Sequence, residues 1–224
     1  MTVKHVLFIV TNAATIGPKR RATGFYFPEI AHPFEVFDKA GIAIEFATLL
    51  GGTPPHDGYD ANDPAQRAFL ESKAFGRMGH SRKLAEIDVR DYDAIFFPGG
   101  LGPMVDLAKD TTVKRVIAEA WDAGRLVGAV CHGPVALLDV KLADGTALLQ
   151  GKRLTAFSNA EEDGYAKADV PFELETALRA QGVLYEEAKP WQPKIVLDGR
   201  LMTGQNPASA GPLAEAMREA LVRR

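Results

Sequence analysis

Apolar residues along the 224-residue chain gather into short unbroken runs, separated by longer stretches where they recur every three or four positions. Runs at 6–10, 42–47, 94–97, 126–130, 154–157 and 195–197 are bounded by Gly, Pro or polar turns and read as strands buried on both faces. Between them, 29–39, 64–75, 112–122, 172–180 and 208–222 read as helices. In the third of these, Val113, Val116, Ile117, Ala120 and Trp121 keep the spacing of a helix with one buried face. Gly41 and Gly124 each follow a helical run and precede a strand, where a left-handed cap closes a helix. The alternation predicts an α/β fold, a mainly parallel sheet with helices on both faces, whose ligands collect beyond the strand C-termini. Two segments interrupt it: the turn-rich 51–58, expected to hold no regular structure, and 141–153 around Asp144-Gly145, an irregular return to a strand. Apolar periodicity resumes directly on either side of both, so residues 1–224 read as one domain.

Composition narrows the partners. A net charge of -3 and a pI near 6.0 give no reason to expect a nucleic acid or an anionic membrane surface. The one basic cluster, Lys19-Arg20-Arg21, reads as a solvated loop face. The run Val6-Leu7-Phe8-Ile9-Val10 is too short for a secretion signal or a membrane span and reads as the first strand. A single cysteine excludes an intrachain disulfide and fits a reducing cytoplasm. His32, His56 and His80 lack metal-ligand spacing, so no metal is expected. Gly100-Leu101-Gly102 lacks the further glycine of a dinucleotide fingerprint, and no phosphate loop is present, so no cofactor is expected.

That cysteine carries the candidate chemistry. Leu126-Val127-Gly128-Ala129-Val130 is an apolar run ending at Cys131-His132-Gly133-Pro134, after which Val135-Ala136-Leu137-Leu138 suits a helix. Such a turn holds the thiol above the sheet edge, as in a nucleophile elbow. A helix start and a neighbouring imidazole are both expected to lower the thiol pKa. Three further segments lie where the same sheet would gather a site. Glu29 follows Phe27-Pro28, Gly99-Gly100 follows the strand ending at Phe97, and Glu161-Glu162 follow Phe157-Ser158. Taken alone, Glu29 suits a first helical turn, the two glycines an ordinary turn, and the acidic pair a solvated surface.

Together, Ala129-Val130-Cys131-His132-Gly133-Pro134, Phe96-Phe97-Pro98-Gly99-Gly100 and the stretch from Asp198-Gly199-Arg200 through Gly204-Gln205-Asn206 to Ala210 resemble the ThiJ/PfpI superfamily, which is class I glutamine amidotransferase-like. Within it the chain looks most like the branch of glutathione-independent glyoxalases (glyoxalase III) and stress chaperones. The resemblance spans nearly the whole chain and implies a flavodoxin-like three-layer sandwich and a homodimer. It assigns Cys131 as nucleophile, His132 as its imidazole, and Glu162 as the triad acid, with Glu161 the neighbouring alternative. It makes Glu29 the second carboxyl, bonded to the sulfur, and puts the N–H groups of Gly99, Gly100 and His132 in an oxyanion hole. Branch members carry His after the glycine pair, whereas Leu101 stands here.

The implied activity is the cofactor-free conversion of methylglyoxal or glyoxal to a 2-hydroxy acid through a Cys131 hemithioacetal and thioester. Two alternatives use the same thiol: a cysteine peptidase or amidase working by an acyl-enzyme, and a holdase chaperone or redox sensor in which Cys131 is oxidised. A small reactive aldehyde is the expected partner in the first case.

Overall fold

The computed structural model describes residues 3–223. Seven strands build the main sheet: β1 (His5–Val10), β2 (Ala43–Thr48), β3 (Arg82–Lys83), β4 (Ala94–Phe97), β5 (Leu126–Val130), β6 (Ile195–Asp198) and β7 (Leu201–Gly204). Their order is β6-β7-β5-β4-β1-β2-β3, parallel throughout except for the β6–β7 hairpin at one edge. The helices are α1 (Pro28–Lys39), α2 (Pro64–Glu71), α3 (Lys73–Met78), α4 (Pro103–Asp106), α5 (Thr111–Asp122), α6 (Asn159–Asp163), α7 (Leu174–Ala180) and α8 (Ala210–Val222).

Period-two alternation explains why the strands read as unbroken apolar runs. Leu7, Ile9, Ile95, Phe97, Val127 and Ala129 face one core with Val113, Val116, Ile117 and Ala120 of α5. Val6, Phe8, Val10, Phe96 and Val130 face a second core, shared with Phe34 and Phe37 of α1 and Leu213 and Met217 of α8. Both faces are covered, so neither can be polar. The predicted stripe on α5 is the buried one, and Gly41 and Gly124 take the left-handed conformation expected of helix ends (φ +68° and +75°).

Several boundaries differ from expectation. The 154–157 run is not a strand of the main sheet; only Arg153–Leu154 pairs, in a two-stranded parallel ladder with Leu184–Tyr185. Instead β7, a strand not expected from the apolar runs, lies beside β5 and seals the flank of the strand that ends at Cys131. The predicted helix over 64–75 is two helices, because Ser72 leaves helical geometry (ψ 155°) and caps α3 by accepting from the Phe75 N–H. The turn-rich loop does hold one regular pairing, His56–Asp57 against Phe25–Tyr26. Among the described residues no helix is long and apolar enough to cross a membrane.

The chain leaves β1 toward β2 on one side and β4 on the other, so the winding reverses between β1 and β4. That reversal opens a crevice at the strand C-termini. Gly99-Gly100 follow β4, Cys131 follows β5, and α1 delivers Glu29 from the connection after β1.

Candidate active site

Cys131 has φ +60°, a left-handed conformation that a residue with a Cβ adopts only when its surroundings impose it. Its N–H donates to the Gly204 carbonyl of β7 (2.9 Å), and its own carbonyl accepts from the Phe157 N–H (2.9 Å). The elbow is therefore pinned by one strand and one loop that are remote in sequence. Beyond it the expected helix is a short 3-10 helix, Gly133–Leu137.

The His132 ring lies beside the sulfur, with Nδ1 3.4 Å from Sγ. Its Nε2 is 2.7 Å from Glu162 Oε2, and both side chains are essentially buried. The Phe157 ring leans on the imidazole at 4.4 Å between centroids, fixing its plane. Glu162 Oε1 is buried without a partner.

Glu161, one residue earlier, points elsewhere. Its Oε2 accepts from the Ser158 N–H and hydroxyl and from Gln205 Nε2, and its Oε1 from the Trp191 N–H and Asn206 Nδ2. Of the two neighbouring acids, Glu162 is the one that meets the imidazole. Ser158 accepts from the Glu161 N–H while Glu161 reaches back to the Ser158 N–H, a capping box that starts α6. That start turns Glu161 and Glu162 to opposite neighbours.

Glu29 sits in the first turn of α1, behind Pro28 at its start, as its local pattern suggested. It is fully buried, accepts from the Gly99 N–H (2.6 Å) and lies beside the Cys131 side chain across Gly99. Burial pushes its pKa up to about 8, against the opposing pull of the Gly99 and Cys131 contacts. A Cβ on Gly99 would sit 2.7 Å from both the Glu29 Oε2 and the Cys131 Cβ, so only glycine leaves room for that contact. Gly100, at φ +93°, turns its N–H toward the sulfur, and the His132 N–H points there too.

Two expectations need correction here. Burial, then the neighbouring Glu29, push the Cys131 thiol well above its ordinary range, and the Gly100 and His132 N–H groups only partly offset them. The cysteine is 4% exposed and followed by a five-residue helix, so loss of water outweighs the helix start. The Gly99 N–H is already taken by Glu29, which leaves Gly100 and His132 as the donors aimed at the Cys131 sulfur. Leu101 is not a pocket residue. It packs in the core with Ile9 and Phe97, on the α5 side of the sheet.

Above the thiol is a cavity of about 90 Å³ lined by Tyr26, Gly100, Cys131, His132, Phe157, Tyr165, Trp191 and Pro207. Larger grooves of about 560 and 660 Å³ lie elsewhere, away from the thiol. The loops 11–25 and 51–65 contribute no lining residue; three of the four aromatic walls come from the chain after β5. Nothing in the strand–helix periodicity marks Tyr165 or Trp191 as pocket residues. Gln205 and Asn206 belong to the third of the family-like segments, and their role is to donate to Glu161. Among the described residues no cluster of metal-binding side chains occurs.

A sequence profile of the DJ-1/PfpI family matches residues 21–220, and the chain belongs to that family. It is 31% identical to Glyoxalase 3 of Candida albicans, over 95% of this chain and 96% of that protein. It is 32% identical to the glutathione-independent glyoxalase hsp3102 of Schizosaccharomyces pombe, over 91% of each. The crystal structure of glyoxalase III from Candida albicans superposes with a TM-score of 0.87 at 29% identity, covering 97% of each chain. The resemblance seen in the motifs and the flavodoxin-like sandwich it implied both hold.

Proposed function

We propose that this protein is a glutathione-independent glyoxalase that converts methylglyoxal or glyoxal to the corresponding 2-hydroxy acid, with its own thiol as nucleophile. The observation that carries the reading is a set of neighbouring groups at the floor of a small cavity: Glu29 beside Cys131, Sγ 3.4 Å from His132 Nδ1, and His132 bonded to Glu162. Its relatives of that name support it.

Because burial keeps the resting sulfur protonated, attack requires a base at the moment of reaction. His132 Nδ1 takes the thiol proton while Glu162 holds the ring and balances the imidazolium. The sulfur adds to the aldehyde carbon, and the new oxyanion lies near the Gly100 and His132 N–H groups, then takes the proton to give a hemithioacetal. The C1 proton is next removed by His132, free again after giving its proton to the oxyanion, and a proton is returned at C2 through an enediol. C1 is thereby oxidised to a thioester and C2 reduced to a carbinol within the same molecule. Water cleaves the thioester, releasing the 2-hydroxy acid and the thiol, and no external oxidant or reductant enters. Glu29, protonated up to about pH 8, is a proton donor next to the sulfur at neutral pH.

The cavity size disfavours a peptidase. A cavity of about 90 Å³ walled by four aromatic rings suits a three-carbon dicarbonyl better than a peptide segment. The test is lactate formation by purified protein supplied with methylglyoxal and no glutathione. Turnover that is lost in Cys131→Ala is expected; absence of lactate, or activity surviving that substitution, rejects the proposal.

A further inference from the structure

We infer that Trp191 is the wall that sets how large a group the Cys131 cavity admits, and that Glu161 is the residue that positions it. The inference deepens the proposed glyoxalase activity and rests on that reading only for the identity of the substrate.

The aromatic walls are not equivalent. Phe157 is fully buried against His132, so it cannot yield without disturbing the imidazole. Tyr165 packs edge-on to Phe157 at 5.7 Å and lies beneath the Arg21 guanidinium at 4.7 Å. Trp191 is half exposed, on the irregular connection leading into β6, and meets Phe157 and Tyr165 edge-on at 5.5 and 6.1 Å. It is the outermost ring of the cluster, and removing the indole would open the cavity sideways to solvent.

Its placement is imposed, because its backbone is left-handed at φ +66°. The Trp191 N–H donates to Glu161 Oε1 at 2.8 Å. On one side of it, Gln205 accepts from the Ala188 N–H (2.8 Å) and donates to the Ala188 carbonyl (3.4 Å); on the other, Asn206 Nδ2 donates to the Gln192 carbonyl (2.8 Å). Gln205 and Asn206 both donate to Glu161 as well. The loop is thus held at Ala188, Trp191 and Gln192 by one buried cluster of Glu161, Gln205 and Asn206. None of the three lines the cavity. A buried carboxylate with five donors is a costly group to bury, and what this one fixes is the position of the indole over the thiol.

The consequence is selectivity for short unbranched 2-oxoaldehydes over those bearing an aryl or branched group. Two readouts on the full chain test it. The first is the rate of Cys131 alkylation by iodoacetamide and by N-benzyliodoacetamide, followed by intact mass. The second is turnover of methylglyoxal against phenylglyoxal. Trp191→Gly suits the left-handed backbone while removing the ring. It is expected to raise the bulky-to-small ratio about tenfold in both readouts, the scale of discrimination by a close-fitting pocket, with Trp191→Phe in between. Glu161→Gln is expected to raise the same ratio several-fold. Gln205→Ala, which frees Ala188 but leaves Glu161, is the milder variant should Glu161→Gln fail to fold. A ratio unchanged in folded Trp191→Gly overturns the gate. A variant at Glu161 or Gln205 that alters both reagents by the same factor overturns the positioning role. If the wild type turns over neither aldehyde, the glyoxalase reading fails, and the alkylation ratio alone still decides the gate.

Discussion

Glu161 and Glu162 are adjacent, both at the start of α6 and both buried, yet the protein treats them in opposite ways. Glu161 accepts five hydrogen bonds, shared between its two oxygens, and every donor belongs to a segment that must be held in place. Glu162 has a single side-chain partner, the His132 ring, and leaves its Oε1 buried and unpaired. Glu29 shares that second character: one oxygen holds the Gly99 N–H, and Oε1 has no partner. A carboxylate whose lone pairs are filled cannot respond when a neighbour gains or loses a proton. One left partly unsatisfied still can, at a cost to stability that the saturated groups around it offset. The acids beside the thiol and the acid that anchors the loops differ in how many donors reach them, not in burial.

The sharpest way to break this comparison is to neutralise each acid and read activity against stability. Glu162→Gln keeps the shape but removes the charge that orients and balances the His132 ring. Turnover of methylglyoxal is expected to fall about 10²–10⁴-fold, with the unfolding midpoint almost unmoved. Equal loss of stability and activity would mean that Glu162 is scaffold too. Glu161→Ala reverses the pattern, because five donors, four of them in buried bonds, lose this acceptor. Unfolding free energy in urea is expected to drop on the order of 3–5 kcal/mol. A drop below about 1 kcal/mol, the worth of an ordinary hydrogen bond, would show that the cluster is not the anchor its geometry indicates.

How far each acid was legible in the sequence follows the same division. The apolar runs disclosed β1, β4 and β5 because they are buried on both faces, and Cys131 stood out as the end of such a run. Glu162 and Glu29 were assigned only through resemblance; locally Glu29 suits a first helical turn, where it lies, whereas the pair Glu161-Glu162 reads as a solvated surface and is instead buried at the start of α6. The rise in the thiol pKa was missed because proximity to a helix start is visible in a sequence, whereas loss of water is a property of the assembled core. β7 was missed because Met202-Thr203-Gly204 has no apolar periodicity; it becomes a strand through pairing with β5. Trp191 and Tyr165 reach the cavity from connections whose path depends on polar contacts between residues distant in sequence, such as Glu161 to Trp191 and Glu161 to Gln205.

Glu29 offers a test that separates burial from bonding. The folded carboxyl binds its proton up to about pH 8, against an ordinary value of 4.5. Between those limits the native state holds the proton that the unfolded chain has released, so stability declines as pH rises through the window. Glu29→Gln keeps an acceptor for the Gly99 N–H and removes the titration. Measured by urea unfolding from pH 5 to pH 8, the wild type is expected to lose about 2–4 kcal/mol relative to the variant. Parallel pH profiles would place the Glu29 carboxyl in contact with water, and its contrast with Glu161 would then lie in solvation, not in donors.

The smallest expected effect tests whether the close approach of Glu29 to Cys131 depends on the glycine between them. Gly99→Ala inserts one methyl group where a Cβ would stand 2.7 Å from the Glu29 carboxyl, the Cys131 Cβ and, at 2.8 Å, the His132 N. Backbone segments meet there, held by the Tyr26 N–H on the Gly99 carbonyl and by the Gly99 N–H on Glu29, so the crowding cannot be relieved by a side-chain rotation. Overpacking of this kind costs about 1–3 kcal/mol. Because the inserted carbon separates the acid from the sulfur, the pKa of Cys131 should respond as well as the fold. Loss of the Glu29 contact removes one cause of its elevation, and alkylation by iodoacetamide should then reach its half-maximal rate at a lower pH than in the wild type. An alkylation profile left in place by a variant that is destabilised would mean that burial alone holds the sulfur protonated, and that the carboxyl beside it serves the reaction without setting the resting state.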